Sequence, residues 1–212
     1  MGVPRSGDHL PLIETFLSIQ GEGEWAGAPA AFVRLSGCNA RAKGLGCAAW
    51  CDTSGVFDPP RFVWTTDELD AWLQAVVQPL IVFTGGEPLL HIDTLFRWYT
   101  SSVARHGKRV AIETNGTLRR PAWNVWWTIS PKPPLYEIEG GPISEIKVVL
   151  GPDDDWNATM RLLERRCSHV APLFVQPRDN DLIFARRLVE EVLPFFPLWR
   201  LSLQQHKLLG VQ

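Results

Sequence analysis

The sequence predicts an α/β fold in which helices cover a mostly parallel β-sheet. The chain has 212 residues, of which 45% are hydrophobic and 21% charged, a composition that suits one globular domain. Short apolar runs with strand character alternate with helical patterns along nearly the whole chain. An alternating series of this length predicts a complete or partial βα barrel. We expect a single domain over residues 1–212, with residues 1–10 as a flexible N-terminal segment.

The individual elements follow from apolar periodicity and from helix-capping and helix-breaking residues. Eight segments have strand character: Ile13–Ile19, Ala31–Leu35, Leu80–Phe83, Val110–Glu113, Trp126–Ile129, Glu145–Leu150, Leu173–Val175 and Trp199–Ser202. We expect the first of these to be an edge or entry strand. Four segments have a helical pattern: Asp67–Val77, Leu89–His106, Asp155–Cys167 and Asp181–Leu193. Thr66 is the expected cap of the first helix, Pro194 and Pro197 end the last, and Pro131–Pro142 is a loop.

Charge and hydropathy exclude several classes of partner. The formal net charge of -2 leaves no basic surface of the kind that binds nucleic acid. No apolar run is long enough to span a bilayer, and the segment Met1–His9 is polar and has no signal-peptide core. We therefore expect a soluble cytoplasmic protein with no membrane or nucleic-acid partner.

Three of the four cysteines, Cys38, Cys47 and Cys51, lie within fourteen residues. In a cytosolic chain such a group indicates metal or redox chemistry rather than disulfides. A structural zinc site takes four protein ligands, whereas an iron–sulfur cluster held by three thiolates leaves one iron free for another ligand. Two alternatives stay open: unligated thiols, and a zinc site completed by a distant His or by Cys167. However, Cys167 ends a helical pattern and is typical of a small buried apolar residue.

Polar and glycine residues follow the predicted strands at the point where each strand ends. These segments are Gly21–Gly23, Cys38, Thr84–Pro88, Thr114–Gly116, Ser130–Lys132 and Gln176–Pro177. Because βα folds place their chemistry at the C-terminal ends of the strands, we expect these side chains to share one site. Arg34 is a charge inside an apolar strand and needs a partner, either an acidic residue or a ligand carboxylate.

The cysteine loop, with Trp50 directly before the third cysteine, resembles that of the radical S-adenosylmethionine (SAM) superfamily. Further segments are similar to one branch, the 7-carboxy-7-deazaguanine synthases of the queuosine pathway. They are Ser18–Gly23, Phe32–Asn39, Cys51–Thr53, Thr84–Pro88, Glu113–Gly116, Ser130–Lys132, Glu145–Lys147, Val175–Pro177 and Gln205–Gly210. The likeness extends from Leu12 to Gln212. One departure is the C-x3-C spacing of Cys47 and Cys51, where the superfamily usually has C-x2-C.

The resemblance implies a modified (βα)6-type barrel and a specific reaction. That reaction is the ring contraction of 6-carboxy-5,6,7,8-tetrahydropterin to 7-carboxy-7-deazaguanine with loss of ammonia, a step of 7-deazapurine biosynthesis. It would begin when a 5′-deoxyadenosyl radical takes the hydrogen atom at C6 of the substrate. The implied cofactors are a 4Fe–4S cluster, SAM and Mg²⁺. The implied partners are the pterin substrate, a flavodoxin- or ferredoxin-type reductant and a second copy of the chain in a homodimer.

The resemblance also assigns residues to each ligand. The cluster ligands are Cys38, Cys47 and Cys51, and the Mg²⁺ ligand is Thr53, which Asp52 can support. The residues expected to contact SAM are Trp50, Gly85, Gly86, Glu87, Glu113, Asn115, Ser130 and Lys132. The residues expected to contact the substrate are Gln20, Glu22, Arg34, Thr84, Gln176, His206 and Gln212.

Three other interpretations remain. The first is a radical SAM activase that acts on a partner protein, although Cys51–Thr53 and the C-terminal Gln-His-Lys run argue against it. The second is a non-enzymatic zinc-binding module. The third is an inactive or repurposed relative, for which the C-x3-C spacing is the warning.

Overall fold

The structure is a computed structural model that describes residues 9–53 and 55–212, with residues 103–106 described by their backbone alone. Its strands are β1 (His9–Ile19), β2 (Pro29–Leu35), β3 (Phe62–Thr65), β4 (Leu80–Gly85), β5 (Arg109–Thr114), β6 (Trp126–Ile129), β7 (Glu145–Leu150), β8 (Leu173–Pro177) and β9 (Trp199–Leu201). Its α-helices are α1 (Thr66–Ala75), α2 (Ile92–His106), α3 (Trp156–Cys167), α4 (Leu182–Arg187) and α5 (Gln205–Leu209).

All the described strands belong to one sheet with the order β3-β1-β2-β4-β5-β6-β7-β8-β9. From β2 onward each strand pairs parallel with its neighbour, whereas β1 is antiparallel to both β2 and β3. Within the described residues no pairing joins β9 to β3, so the sheet forms a barrel that is only partly closed. The predicted class, a mostly parallel α/β sheet of the partial-barrel type, is confirmed.

The N-terminal region differs from the prediction in two ways. Strand β3, which the sequence pattern does not predict, forms the edge of the sheet, so β1 lies one position inside it. His9 and Leu10, expected in a flexible segment, pair with Thr65 and Trp64 of β3, and the Leu10 side chain is fully buried. The rest of the expected flexible segment, residues 1–8, lies outside the described residues.

The start of α1 lies one residue earlier than predicted. Thr65, not Thr66, is the cap: its hydroxyl accepts the Glu68 backbone N–H at 3.2 Å, and the Glu68 carboxylate accepts the Thr65 backbone N–H at 2.7 Å. This reciprocal pair satisfies two N–H groups that a helix N-terminus leaves without partners. Thr65 can cap because its backbone is extended, whereas Thr66 already lies within the helix.

The later helices begin near their predicted positions. Asp155 caps α3 and Asp181 caps α4, in each case through a carboxylate that accepts backbone N–H groups of the first turn. The chain continues from α4 as a π-helical turn, Leu188–Val192, and a 3-10 turn, Leu193–Phe195, so the helical segment ends at the predicted prolines. Within the part of the chain that the structure describes, no helix is both long enough and apolar enough to cross a bilayer.

The two faces of the sheet differ, and this difference positions the site. One face packs against the helices; there the rings of Phe83 and Trp98 lie 5.1 Å apart. On the other face the early strand residues, such as Ala30 and Phe32 of β2, form a small apolar cluster. Later residues on that same face are polar, for example Arg34 of β2 and Thr84 of β4, because side chains two apart share a face. Polar groups therefore collect at the C-terminal ends of the strands.

Candidate active site

A cavity of about 350 Å³ opens at the C-terminal ends of the parallel strands. Of the site residues predicted from the sequence, all but Glu87 line it. They are Gln20, Glu22, Arg34, Cys38, Cys47, Trp50, Cys51, Thr53, Thr84, Gly85, Gly86, Glu113, Asn115, Ser130, Lys132, Gln176, His206 and Gln212. The structure thus brings together residues that are spread from the first strand to the last residue of the chain.

The three cysteines reach the cavity from the segment that follows β2. Cys47 lies in a short 3-10 turn, Gly46–Ala49, and Trp50 ends that turn, so a compact turn takes up the longer C-x3-C spacing. The pKa of Cys38 is raised to about 11, chiefly by burial and in smaller part by the negative charges of Glu87, Cys47 and Cys51, against a backbone hydrogen bond from Ala40 that lowers it. Burial also raises the pKa of Cys47, whereas Lys132 lowers it. The thiols are therefore close enough to influence one another, and a cation between them would favour the thiolate forms.

The donor set fits an iron–sulfur cluster in its chemistry, although the sulfurs do not converge on one point. Among the described residues, no three His, Cys, Asp or Glu side chains adopt a metal-binding arrangement. Cys38, Cys47 and Cys51 form no disulfide and line one cavity, so three soft thiol donors are available together. Cys167 is 2% exposed at the end of α3, in the core and outside the cavity. It is the buried apolar residue that its pattern predicts, and not a fourth ligand.

The backbone of Gly86 and Glu87 holds the cysteine segment against the end of β4. The Gly86 N–H donates to the Leu35 carbonyl at 3.1 Å, and the Glu87 N–H donates to the Gly37 carbonyl at 2.9 Å. A Cβ at Gly86 would lie 1.9 Å from the Gly37 carbonyl oxygen and 3.1 Å from the Cβ of Cys38. Only glycine allows this approach of two backbones. These backbone contacts therefore position Cys38. Contact with SAM stays a prediction for Gly85 and Gly86.

Glu87 lies beneath the cavity and does not line it. Its side chain is 0% exposed and accepts hydrogen bonds from the Thr114 hydroxyl at 2.7 Å, the Asn115 backbone N–H at 2.8 Å and the Leu89 backbone N–H at 3.1 Å. Burial raises its pKa, against the hydrogen bonds that lower it. These contacts join the ends of β4 and β5, so the structure supports a positioning role for Glu87 in place of the direct cofactor contact expected from the sequence.

Trp50, Ser130 and Lys132 form one wall beside the cysteines. The Lys132 ammonium donates to the Ser130 hydroxyl at 2.7 Å and lies 5.8 Å from the centre of the Trp50 ring. Burial lowers the pKa of Lys132, whereas the thiol group of Cys47 raises it. A positive charge here stabilises thiolates on the neighbouring loop.

Glu113 is held from both sides at the end of β5. Its Oε1 accepts the Gln20 amide at 2.9 Å and its Oε2 accepts the Thr84 hydroxyl at 2.7 Å. A carboxylate offers about four lone-pair directions, so each oxygen keeps about one that is not used by these bonds. Glu113 can therefore accept hydrogen bonds from two adjacent donors of a ligand.

Arg34 has the acidic partner that its position in an apolar strand requires. Its Nε donates to Oε1 of Glu14 at 2.8 Å, across the β1–β2 pairing. Its Nη1 lies 3.5 Å from the Thr53 hydroxyl, which is also 3.5 Å from Oδ1 of Asp52. The sequence did not single out Glu14, because only the register of β1 against β2 places it opposite Arg34.

Glu22 is the centre of a polar group that includes two residues missed from the sequence. One carboxylate oxygen pairs with the ammonium of Lys147, and the other accepts the amides of Gln176 at 3.2 Å and Gln204 at 2.9 Å. Lys147 could have been found by the argument applied to Arg34, because it is also a charge in an apolar strand. Gln204 carries no comparable signal. Its amide also reaches Asp52 at 3.2 Å.

The C-terminal segment lies across the cavity. The Gln205 N–H donates to the Gly21 carbonyl at 3.0 Å, and Lys207 forms an ion pair with Asp52. At the end of the chain, the Gln212 amide donates to Glu14 at 2.9 Å, and a Gln212 backbone oxygen accepts the Ser18 hydroxyl. Burial lowers the pKa of His206, and nearby cations add to this effect. The segment thus connects β1, the glycine-rich loop and the cysteine segment.

Comparison with known proteins finds close relatives over nearly the whole chain, although no family model matches it. The chain is 34% identical to the 7-carboxy-7-deazaguanine synthase of Synechocystis sp., over 95% of this chain and 93% of the relative. It is 35% identical to that of Bacteroides thetaiotaomicron, over 94% and 97%. The crystal structure of QueE from Escherichia coli matches with a TM-score of 0.71 at 28% identity, covering 93% of this chain and 95% of that one.

Proposed function

The chain belongs to the 7-carboxy-7-deazaguanine synthase family, and from this premise we propose that it contracts 6-carboxy-5,6,7,8-tetrahydropterin to 7-carboxy-7-deazaguanine with loss of ammonia. It would thus be a radical SAM lyase of 7-deazapurine biosynthesis. The observation that carries the proposal is a cavity that brings three thiols together with the polar strand ends, in a chain similar to these enzymes over 95% of its length.

The family uses SAM and a 4Fe–4S cluster, which when bound supply the radical that takes a hydrogen atom from the substrate. In this chain Cys38, Cys47 and Cys51 would hold the cluster. The ammonium of Lys132 favours the thiolate form of Cys47, since it lowers the pKa of that thiol against the effect of burial. The backbone of Gly85 and Gly86 lines the same cavity and can accept the amino group of SAM.

The polar groups of the cavity match a carboxypterin. The ring presents adjacent N–H donors beside a carbonyl, and Glu113 keeps one acceptor direction on each oxygen for such a pair. Gln176 can both donate and accept. For the substrate carboxylate we propose Mg²⁺ held by Thr53 with support from Asp52, since Mg²⁺ prefers oxygen ligands and keeps several waters.

We also propose the expected partners. A flavodoxin- or ferredoxin-type protein would reduce the cluster, for which the exposed Cys51 marks the accessible side of the cysteine segment. The active form would be a homodimer, which sedimentation velocity tests directly: a single species with the mass of one 23.8 kDa chain would contradict it.

The decisive experiment is anaerobic reconstitution followed by incubation with SAM, a reductant and 6-carboxy-5,6,7,8-tetrahydropterin. We expect 7-carboxy-7-deazaguanine and ammonia in equal amounts, measured by mass spectrometry and an ammonia assay. Formation of 5′-deoxyadenosine without the deazaguanine would contradict the assignment of the pterin as substrate. It would still agree with radical SAM chemistry. A colourless protein with zinc and no iron would contradict both.

Two cysteine variants test the cluster ligands without relying on turnover. Cys38→Ser should reduce the iron bound after reconstitution from about four atoms per chain, because a thiolate ligand is lost. The matched control is Cys167→Ala, which removes a buried thiol outside the cavity and should leave the iron content unchanged. Equal iron in Cys38→Ser and the unmodified protein would contradict the assignment of Cys38.

A further inference from the structure

Strand β7 carries two buried charges on the face that looks into the barrel. Glu145 is 2% exposed and Lys147 is 5% exposed, and residues two apart on a strand share a face. Ile146, between them, belongs to the apolar core on the other face. The Glu-Ile-Lys segment thus places two ionisable groups inside the barrel, and neither has a role among the site residues predicted above.

Both charges hold the loop that connects β1 to β2. Oε2 of Glu145 accepts the Glu24 backbone N–H at 2.9 Å, while its Oε1 accepts the Thr128 hydroxyl at 2.8 Å. The loop packs tightly here, since a Cβ at Gly23 would lie 2.4 Å from Oε1 of Glu145. Lys147 holds the same loop by its ion pair with the Glu22 side chain. One carboxylate therefore fixes the loop backbone, and one ammonium fixes the side chain beside it.

The contacts of Glu22 determine what it can offer a ligand. Lys147 takes one acceptor direction on Oε2, and the amides of Gln176 and Gln204 take both directions on Oε1. Of about four lone-pair directions, about one remains, on Oε2 beside the Lys147 ammonium. Glu22 lines the cavity, so this remaining direction can accept a single N–H or O–H from a bound molecule.

Burial of the Lys147 ammonium is energetically unfavourable, which indicates that the charge has a role in the site. The ammonium is buried, and burial lowers its pKa. A buried charge requires a partner with good geometry, and removal of either partner leaves the other uncompensated. Glu22, at 12% side-chain exposure, is in the same situation. Each residue therefore fixes the orientation of the other.

We propose that Lys147 is a positioning residue, which holds Glu22 as an oriented carboxylate with one acceptor open to the pterin ring. This inference rests on the proposed function, because the pterin is the ligand that Glu22 would meet. Lys147 itself lines the cavity, but its ammonium is directed to Glu22 and its effect on the reaction passes through that carboxylate.

The test compares Lys147→Met with Lys147→Arg in the reconstituted holoenzyme, with 6-carboxy-5,6,7,8-tetrahydropterin as substrate. In Lys147→Met we expect KM for the pterin to rise by about tenfold or more, because Glu22 loses the partner that orients it. kcat, the iron content and the affinity for SAM should each stay within about twofold of the unmodified enzyme. The reason is that the lost interaction binds the substrate and the transition state equally, which affects KM alone. Lys147→Arg keeps the positive charge, and its KM should lie close to that of the unmodified enzyme.

The matched control is Lys108→Met, since the partly buried Lys108 donates to the carbonyls of Val76 and Gln78, away from the cavity. If Lys147→Met does not fold, Lys147→Gln keeps a donor for Glu22 and should show a smaller rise in KM. An unchanged KM in the soluble variant overturns the proposal. The proposal is also overturned if Lys108→Met raises KM by the same factor, or if KM in Lys147→Arg is as high as in Lys147→Met. If the unmodified enzyme does not convert the pterin, it is the proposed function that fails.

Discussion

Replacing Gly86 by alanine should displace the cysteine segment from the sheet. The added Cβ would lie 1.9 Å from the carbonyl oxygen and 2.5 Å from the carbonyl carbon of Gly37, and 3.1 Å from the Cβ of Cys38. The two nearest atoms belong to the backbone, so no flexible side chain can move aside. Gly86 is not among the glycines with a positive φ, which means that the effect is steric and not conformational.

The magnitude follows from the cost of inserting a methyl group into a packed position. Such overpacking typically lowers the free energy of unfolding by about 1–3 kcal/mol. Relief requires the Gly37–Cys38 segment to move outward, which would lengthen the hydrogen bonds from Gly86 to Leu35 and from Glu87 to Gly37. We therefore expect a loss of stability near the upper end of this range, together with reduced binding of iron.

The assay has two readouts, urea unfolding of the metal-free protein and iron per chain after anaerobic reconstitution. Gly140→Ala is the matched control, because Gly140 also lacks a positive φ and a Cβ there would meet no atom closer than 3.8 Å. It should be neutral or stabilise by about 0.5 kcal/mol, since alanine restricts the unfolded chain. If Gly86→Ala matches this control in both readouts, the backbone contact does not position Cys38.

Two further predictions concern stability, and both use urea unfolding. Thr65→Ala should lower the free energy of unfolding by about 1 kcal/mol through loss of the cap of α1, whereas Thr66→Ala should have little effect; equal losses would contradict the observed cap. The stability of Glu145→Gln relative to the unmodified protein should increase as the pH rises from 4.5 through the folded-state pKa of Glu145, because burial raises that pKa and only the glutamate has to ionise. A carboxyl group whose pKa is higher in the folded than in the unfolded state stabilises the fold at low pH, and this stabilisation is lost as the pH rises through the folded-state pKa. A stability difference between the variant and the unmodified protein that does not change with pH would contradict the prediction.

Much of the fold was predictable because it is encoded locally. Short apolar runs located eight of the strands to within a few residues, and helices α1 to α4 followed from their own period and end signals, whereas the short helix α5 was not predicted. β3 was not predicted; it is an edge strand, and none of its four residues is buried, so it lacks the buried apolar run that marks the inner strands. The shift from Thr66 to Thr65 as a cap has a similar origin, since both residues can cap and only the backbone conformation distinguishes them.

The sequence by itself indicated most of the residues that line the cavity. In a parallel sheet all strand ends lie at one edge, so polar residues after each strand must converge, and the cysteines need only their spacing to be recognised. Only the tertiary structure decided how these residues pair. The partners Glu14 and Arg34, Glu22 and Lys147, and Glu87 and Thr114 come from different strands or loops, and strand order and register bring them together. Whether a charge faces the cavity or lies beneath it depends on that register, which no local pattern encodes.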